Sequence, residues 1–385
     1  MSNALLARLL ALGTGVALQA ICPHAGWATQ VPAQLDDTGM TQCAVFDGAR
    51  QEWVLTARCK GTGQDPVYGR DATDPSGKDG RAGFSFVKIG DDGEALPRRA
   101  LSWRCVLDNV TGLMWEVKTA DGSLFDYRNR YTNVGDGSSG DASGYVATVN
   151  SVGLCGANDW RLPSRGELES LLDYSHASFS PMVDADWFPN TLGALHWTST
   201  SSEVNGGAAD YWWSVDFFAG ATMWRNGAYD SDPVRLVRGG VPAPAKRWRI
   251  HGAAGDEVLD KQTRLIWRRC AEGRTWTGTT CSGSGSVFLT GTGAIAHALE
   301  ERRLTGQPWR APNIKELSTL VDTDVNFPAI DPSAFPAFES DLYHTGTFWT
   351  QNPVYSWRVS FARGEMMTDF SGGRLLLVRD AGSSD

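Results

Sequence analysis

The chain repeats itself at domain length. The run Val106-Leu-Asp-Asn-Val-Thr-Gly-Leu-Met-Trp115 returns 152 residues later as Val258-Leu-Asp-Lys-Gln-Thr-Arg-Leu-Ile-Trp267. Trp160-Arg-Leu-Pro-Ser-Arg-Gly-Glu-Leu168 returns 149 residues later as Trp309-Arg-Ala-Pro-Asn-Ile-Lys-Glu-Leu317. His196-Trp-Thr is matched by Phe348-Trp-Thr, Trp213-Ser-Val-Asp-Phe by Trp357-Arg-Val-Ser-Phe, and Leu236-Val-Arg by Leu377-Val-Arg. A period this long is that of a whole domain rather than of a solenoid unit, so the 385 residues are read as two copies of one fold plus flanking segments. With 42% hydrophobic residues and 16 tryptophans, the chain has the means to bury cores and is not disordered.

Local signals give each copy the same outline. A strand runs through an Asp-x-x-Thr turn to a core tryptophan, and a short helix follows, at 143–152 in the first copy and 294–303 in the second, where Gly306 serves as a left-handed cap. After the Trp-Arg-x-Pro turn stand two capping boxes, Ser164-x-x-Glu167 and Asn313-x-x-Glu316, in which side chains satisfy the orphan amides of a helix start. Leu168, Leu171 and Leu172, matched by Leu317, Leu320 and Val321, form one apolar helix face. Alternating segments such as 213–217 and 234–238 then predict antiparallel strands, and the class is α+β.

The expected organisation is a signal peptide over 1–28, an N-terminal extension over 29–104 packed on the first copy, a first domain over 105–240, a proline-containing linker over 241–255, and a second domain over 256–381. The signal peptide follows from Arg8, an apolar run from Leu9 to Ile21 too short to span a bilayer, and small residues at Gly26 and Ala28. Export to the periplasm, cell surface or medium is expected, with no membrane span in the mature chain. Cysteine usage agrees. Beyond Cys22, six remain, Cys43, Cys59, Cys105, Cys155, Cys270 and Cys281, which allow 15 connectivities. Sequential pairing keeps every bridge within one unit and leaves no thiol over, and no CxxC supports zinc instead.

These elements carry a resemblance. Asp108-Asn-Val-Thr-Gly-Leu-Met-Trp115, Trp160-Arg-Leu-Pro-Ser-Arg-Gly-Glu-Leu168, Trp197-Thr-Ser-Thr200 and Val234-Arg-Leu-Val-Arg-Gly-Gly240 resemble the Lcl C-terminal domain family, named for the C-terminal region of a collagen-like adhesin of Legionella. The second copy, with Arg269-Cys-Ala-Glu-Gly-Arg-Thr-Trp-Thr-Gly-Thr-Thr-Cys281, is similar to a second member. The resemblance implies two tandem C-type lectin-like domains, secreted or displayed at a bacterial surface, with adhesion and glycan binding as the function. Arg238-Gly-Gly240 also resembles the closing strand of formylglycine-generating enzymes, a fold-level analogy.

Catalysis finds little support. GxSxG, HExxH and P-loop motifs are absent, the histidines at 176, 196, 251, 297 and 344 recur at no shared repeat position, and the last cysteine is Cys281, too early for a formylglycine-generating thiol site. No enzyme and no cofactor are expected. Asp322-Thr-Asp324-Val-Asn326 begins like a calcium loop, but Phe327 and Ser333 stand where glycine and a bidentate glutamate belong, so it reads as a helix end and a turn.

Two binding surfaces are candidates. Trp115/Trp267, Trp160/Trp309, Trp197/Trp349 and Trp213/Trp357 recur and suit a shared core, whereas Trp103, Trp187, Trp212, Trp224 and Trp276 do not. Val237 follows Trp213 by 24 positions, against 21 from Trp357 to Val378, and this longer loop carries Trp224, Arg225, Asn226 and Tyr229, an aromatic with hydrogen-bonding neighbours fit for a sugar, against which stands an aromatic folded back on its own domain. The second is Arg268 and Arg269 with Lys246, Arg247, Arg249, Arg302 and Arg303, which could meet a sulfated glycan, against which stands ordinary linker and helix-end charge. The net charge of −9 opposes non-specific nucleic-acid binding. The expected function is non-catalytic recognition of a glycan or extracellular matrix polymer, the alternative being an envelope component that binds another protein.

Overall fold

The computed structural model describes residues 35–73, 77–176, 181–202, 210–240, 244–368, 371–382 and 385. The expected signal peptide lies outside them. No described helix is long and apolar enough to cross a membrane.

Both repeats are α+β, built from small antiparallel sheets and short helices. In the first, the Asp-x-x-Thr hairpin joins Cys105–Asp108 to Leu113–Glu116, and Asp108 closes the turn by accepting from the Val110 amide at 2.8 Å and from the Thr111 hydroxyl. Asp260 does the same for Gln262 and Thr263 between Glu257–Asp260 and Leu265–Arg268. Each hairpin is extended on one side by a closing strand, Val237–Gly239 or Val378–Asp380, and on the other by a preceding strand, Phe86–Ile89 or Trp248–His251. The repeating unit therefore begins earlier than the sequence identity shows: Phe86 faces Asp108 as Trp248 faces Asp260, and Trp248–His251 is a strand inside the stretch read as linker. A second, three-stranded sheet completes each repeat, with Leu195–Ser201, Tyr211–Asp216 and Thr222–Asn226 in one and Leu342–Phe348, Ser356–Ser360 and Glu365–Thr368 in the other.

The helices start where the caps require. Asp141 caps Ala142–Val152 and Thr290 caps Gly291–Thr305, which ends at Gly306 with φ 68° and outruns the expected 294–303 at both ends. Both capping boxes form, placing Arg165–Ser170 and Ile314–Ser318. The cysteines pair sequentially, Cys43–Cys59, Cys105–Cys155 and Cys270–Cys281.

One tryptophan match is corrected. Trp197 corresponds to His344, not to Trp349: the next residue in each case, Thr198 or Thr345, donates its hydroxyl at 2.7 Å to the carbonyl of Trp213 or Trp357. The rings also do the same work. Trp197 Nε1 donates to Tyr131 O at 2.7 Å, and His344 Nε2 lies 2.9 Å from Phe288 O, so that nitrogen carries the hydrogen. Burial, the largest influence on His344, lowers its pKa to about 4 and keeps the ring neutral. Trp349 lies beyond the end of the strand and is half-buried.

The N-terminal extension does not pack on the first repeat alone. Its hairpin, Cys43–Asp47 and Glu52–Thr56, sets Ala44, Trp53 and Leu55 against Ile295, Ala298 and Trp309 of the second repeat. Met40 and Phe84 enter a single core cluster that runs through both repeats, with Trp115, Leu168 and Tyr174 from the first and Trp267, Leu317 and Trp357 from the second.

Candidate functional site

The two capping-box helices meet where the repeats abut, and the site is built on them. Arg165 is the first residue of its helix; its amide donates to Thr200 Oγ1 at 2.9 Å, as that of Ile314 does to Thr347 Oγ1 at 3.0 Å. The Arg165 guanidinium, with Nε 2.5 Å from Glu169, lies 4.3 Å above the Trp213 ring, while its Nη1 and Nη2 are buried without a hydrogen-bond partner among the described residues. Lys315, on the opposing helix, donates from Nζ to Ser170 O and to Asp37 O, both at 2.6 Å, tying the second repeat to the first and to the extension. Burial depresses the Lys315 pKa, and the surrounding carboxylates of Asp36, Asp37, Asp173 and Asp108 work against that depression.

Asp36 is the least ordinary group here. It is 2% exposed, and among the described residues no donor reaches either of its oxygens. Burial, with the adjacent Asp108 carboxylate adding to it, holds Asp36 well above the ordinary carboxylate range. Asp108 itself accepts from the 110–111 turn. Both Asp36 oxygens are shut off from water. Asp65, also buried, accepts from Thr38 Oγ1 at 2.8 Å and Thr347 Oγ1 at 2.6 Å; burial and then Asp37 raise its pKa to about 7.

Above this charged floor lies a cavity of about 440 Å³. Its wall is rich in hydroxyls and amides: Ser164, Thr200, Gln262, Ser318, Thr319 and Thr323, with Leu35, Leu113 and Val321 as the apolar part. Residues from both repeats contribute, so the cavity exists only in the tandem arrangement. Asp36, Arg165, Glu167, Glu169, Arg247 and Lys315 also line it, so hydroxyls, charged groups and apolar surface share the wall.

A family model described as the Lcl C-terminal domain matches residues 104–238 and again 256–379. The chain belongs to this family. Nothing among the curated proteins compared matches it. The two Lcl C-terminal domains thus coincide with the two repeats, and the cavity lies between them.

The residues singled out in the sequence stand elsewhere. Trp224 lies within the strand Thr222–Asn226 rather than in a loop, opposite Trp213, with its ring edge-on to Tyr211 at 5.2 Å. Arg225 pairs with Asp230 and Asp232, and Asn226 Oδ1 accepts from the amides of Ala228 and Tyr229. Tyr229, 89% exposed, is the one member of that set that projects fully into solvent. In the second Lcl C-terminal domain, Arg268 pairs with Glu272 and Glu301, both at 2.9 Å. Arg269 is 8% exposed, donates to the carbonyls of Ala334, Gly255 and Ser333, and stacks on Trp276. Arg303 pairs with Glu300, Arg247 with Asp260, and Arg249 reaches the Asp385 carbonyl, while Lys246 is exposed.

Among the described residues, one group of three metal-type donors, Glu272, His297 and Glu301, comes within 4.8 Å. Arg268 already bridges its two carboxylates and His297 Nε2 lies 2.8 Å from Glu272, so a salt-bridge network occupies the positions a cation would need. Asp322 turns its Oδ1 onto the Asp324 amide at 3.0 Å, as a helix end followed by a turn does.

Sequence reading missed Asp36, Arg165, Lys315 and Thr200. Arg165 and Lys315 sit on helices that were placed correctly, but all five residues of Ile314–Ser318 are buried, so no amphipathic stripe separates Lys315 from its apolar neighbours. Asp36 belongs to a stretch with no repeat and carries no signal of burial.

Proposed function

We propose that this chain is an exported, adhesin-like, non-catalytic binding module that recognises a glycan or matrix polymer, and that the cavity between its two Lcl C-terminal domains is the ligand seat. The observation that carries this reading is the wall of that cavity: the side chains of Ser164, Thr200, Gln262, Ser318, Thr319 and Thr323 line a space of about 440 Å³ beside apolar surface, and the charged Glu167 and Arg247 in the same wall are already paired with Arg161 and Asp260. Such a wall suits the hydroxyls of a neutral saccharide better than sulfate groups, because the cations at 268 and 269 are bound to carboxylates and carbonyls. Each domain takes the C-type lectin-like arrangement that its family resemblance implies. The disulfides suit an oxidising, extracytoplasmic setting.

The test is binding of the chain from residue 29 onward to an array of neutral, acidic and sulfated glycans, with and without chelator. The reading expects chelator-insensitive binding to neutral glycans, weakened at least tenfold by Gln262→Ala with Thr319→Val. Silence across the array, or binding confined to sulfated glycans and lost at moderate salt, would contradict it.

A further inference from the structure

The two domains share a hydrogen-bonding pattern after the capping-box helix. Leu172 N donates to Glu169 O, Asp173 N to Met182 O, and Ser175 N to Asp173 Oδ1; Val321 N donates to Ser318 O, Asp322 N to Ala329 O, and Asp324 N to Asp322 Oδ1. The residue inside each series breaks the symmetry. Tyr174 N donates to Thr38 O of the N-terminal extension at 2.8 Å, whereas its counterpart, the Thr323 N–H, meets no acceptor among the described residues.

The extension fills the first domain's surface closely at this point. Gly39, with φ +82°, lies over Asp173 and Phe84: a Cβ built there would stand 2.7 Å from Asp173 Cγ and 3.3 Å from the Phe84 ring, so the position takes glycine alone. Arg81, also from the extension, brings its Nε to 3.1 Å from Asp173 Oδ2. Phe84 and Asp173 correspond to Lys246 and Asp322, by the strand register that matches Phe86 with Trp248 and by the bonds above. In the second domain that same place is an open groove of about 540 Å³, lined by Lys246, Trp248, Leu320, Asp322, Thr323 and Asp331. Among the described residues no cation pairs with Asp322, although Arg81 pairs with its counterpart.

We infer that this groove is a binding site for an extended polypeptide segment of a partner protein, one that presents a backbone carbonyl to the Thr323 N–H, a glycine over Asp322 and a basic side chain to the Asp322 carboxylate. The three elements are those the extension supplies to the first domain. Chain length explains why the second domain cannot supply them from the residues just before it: 45 residues separate Gly39 from Phe84, but seven separate Gly239 from Lys246, too few to leave the closing strand, cross the groove and return. The groove borders the saccharide seat through Arg247, Val321 and Thr323, but the inference stands on the domain-to-domain comparison and not on that reading.

The probe is a capped, fluorescently labelled synthetic peptide with the sequence of residues 35–41 extended by one arginine, titrated with the chain from residue 29 onward and followed by anisotropy. The expected result is saturable 1:1 binding, weakened at least tenfold when the peptide glycine is replaced by valine, when its arginine is replaced by glutamate, and in the Asp322→Asn protein. The peptide substitutions leave the protein's folding untouched. Absence of binding at millimolar peptide, or equal binding of the glycine and valine peptides, would overturn the inference. A peptide-independent dimer in sedimentation that excludes the probe would overturn it as well, by naming a second copy of this chain as the occupant.

Discussion

Gly220 lies against the indole of Trp357: a Cβ built on it would stand 3.0 Å from the ring and 2.7 Å from the Met182 methyl. The relation recurs with the domains exchanged, since a Cβ on Gly364 would stand 3.6 Å from the Trp213 ring and 2.7 Å from Val321. Each domain thus inserts the turn of its own three-stranded sheet against the core tryptophan of the other. Nearby, Met366 N donates to Thr222 Oγ1 at 3.0 Å, and Tyr174 packs edge-on to Trp357 at 5.0 Å. The tandem copies pack into one body with a shared seam.

Gly220→Val and Gly364→Val therefore each weaken both domains at once. Positive φ, +68° and +83°, costs a branched residue about 1–2 kcal/mol, and steric crowding adds a similar amount, against Met182 and the Trp357 ring across the seam at Gly220 and against Val321, with the Trp213 ring in contact, at Gly364. Urea unfolding followed by tryptophan fluorescence and by far-ultraviolet circular dichroism is expected to show one transition, shifted to lower urea by about 2–4 kcal/mol in each variant. Two transitions, only one of them moved, would refute the shared seam.

Stability is expected to fall as pH rises through neutrality. Asp65 has a folded pKa of about 7 against 3.8 for the free side chain, so folding takes up a proton between those values. The contribution is fully present below about pH 4 and is lost as pH rises through about 7, at most about 4 kcal/mol from this group. Asp65→Asn keeps an acceptor for Thr38 and Thr347 and removes the titration. Thermal unfolding at pH 5, 6.5 and 8 should therefore show a flatter profile for the variant, which gains on the wild type at pH 8.

Lys315→Met removes the two carbonyl bonds to Ser170 and Asp37 and the cation among four carboxyl groups. Breaking a buried charged contact from one side costs about 3–5 kcal/mol. Asp36→Asn combined with Lys315→Met should depart from the sum of the two single variants, because the Lys315 cation acts on the Asp36 carboxyl, lowering its pKa against burial. A double-mutant cycle in chemical denaturation measures the coupling, and strict additivity would contradict the arrangement.

Arg269→Ala is expected to act on stability rather than on ligand binding. It strands three carbonyls and uncovers Trp276, a loss of about 2–3 kcal/mol. Calorimetric melting and glycan binding measured on the same protein separate the two effects; unchanged melting with lost binding would restore Arg269 as a ligand contact.

The legible parts of the structure were those fixed by local chemistry. The Asp-x-x-Thr turns, both capping boxes and the Gly306 helix end follow from side chains that satisfy backbone groups a few residues away, and such bonds leave a spacing in the sequence. The sequential cysteine pairing was favoured because it keeps each bridge within one unit, but the sequence left 15 connectivities open and the structure selects it. The equation of Trp197 with Trp349 failed because a tripeptide likeness outweighed the strand register, whereas the hydroxyl bonds of Thr198 and Thr345 place His344 there. Trp224 was read as a loop residue because the region carrying it is longer than its counterpart, but the strand Thr222–Asn226 begins before the added length. Arg268 and Arg269 looked free because most of their partners lie far along the chain, at Glu301, Ser333 and Ala334, and the near one, Glu272, follows Arg268 by four residues outside any helix. Asp36 and Lys315, 279 residues apart, owe their roles to the seam alone, and no periodicity within either repeat encodes it.

The most direct measurement is amide hydrogen exchange of the chain, alone and saturated with the strongest-binding neutral glycan from the array. The account expects added protection at 164–170 and 314–323 together, on both sides of the seam cavity, with 222–230 unchanged. Protection confined to 222–230 around Tyr229, or to one domain only, would contradict the seam as the ligand seat.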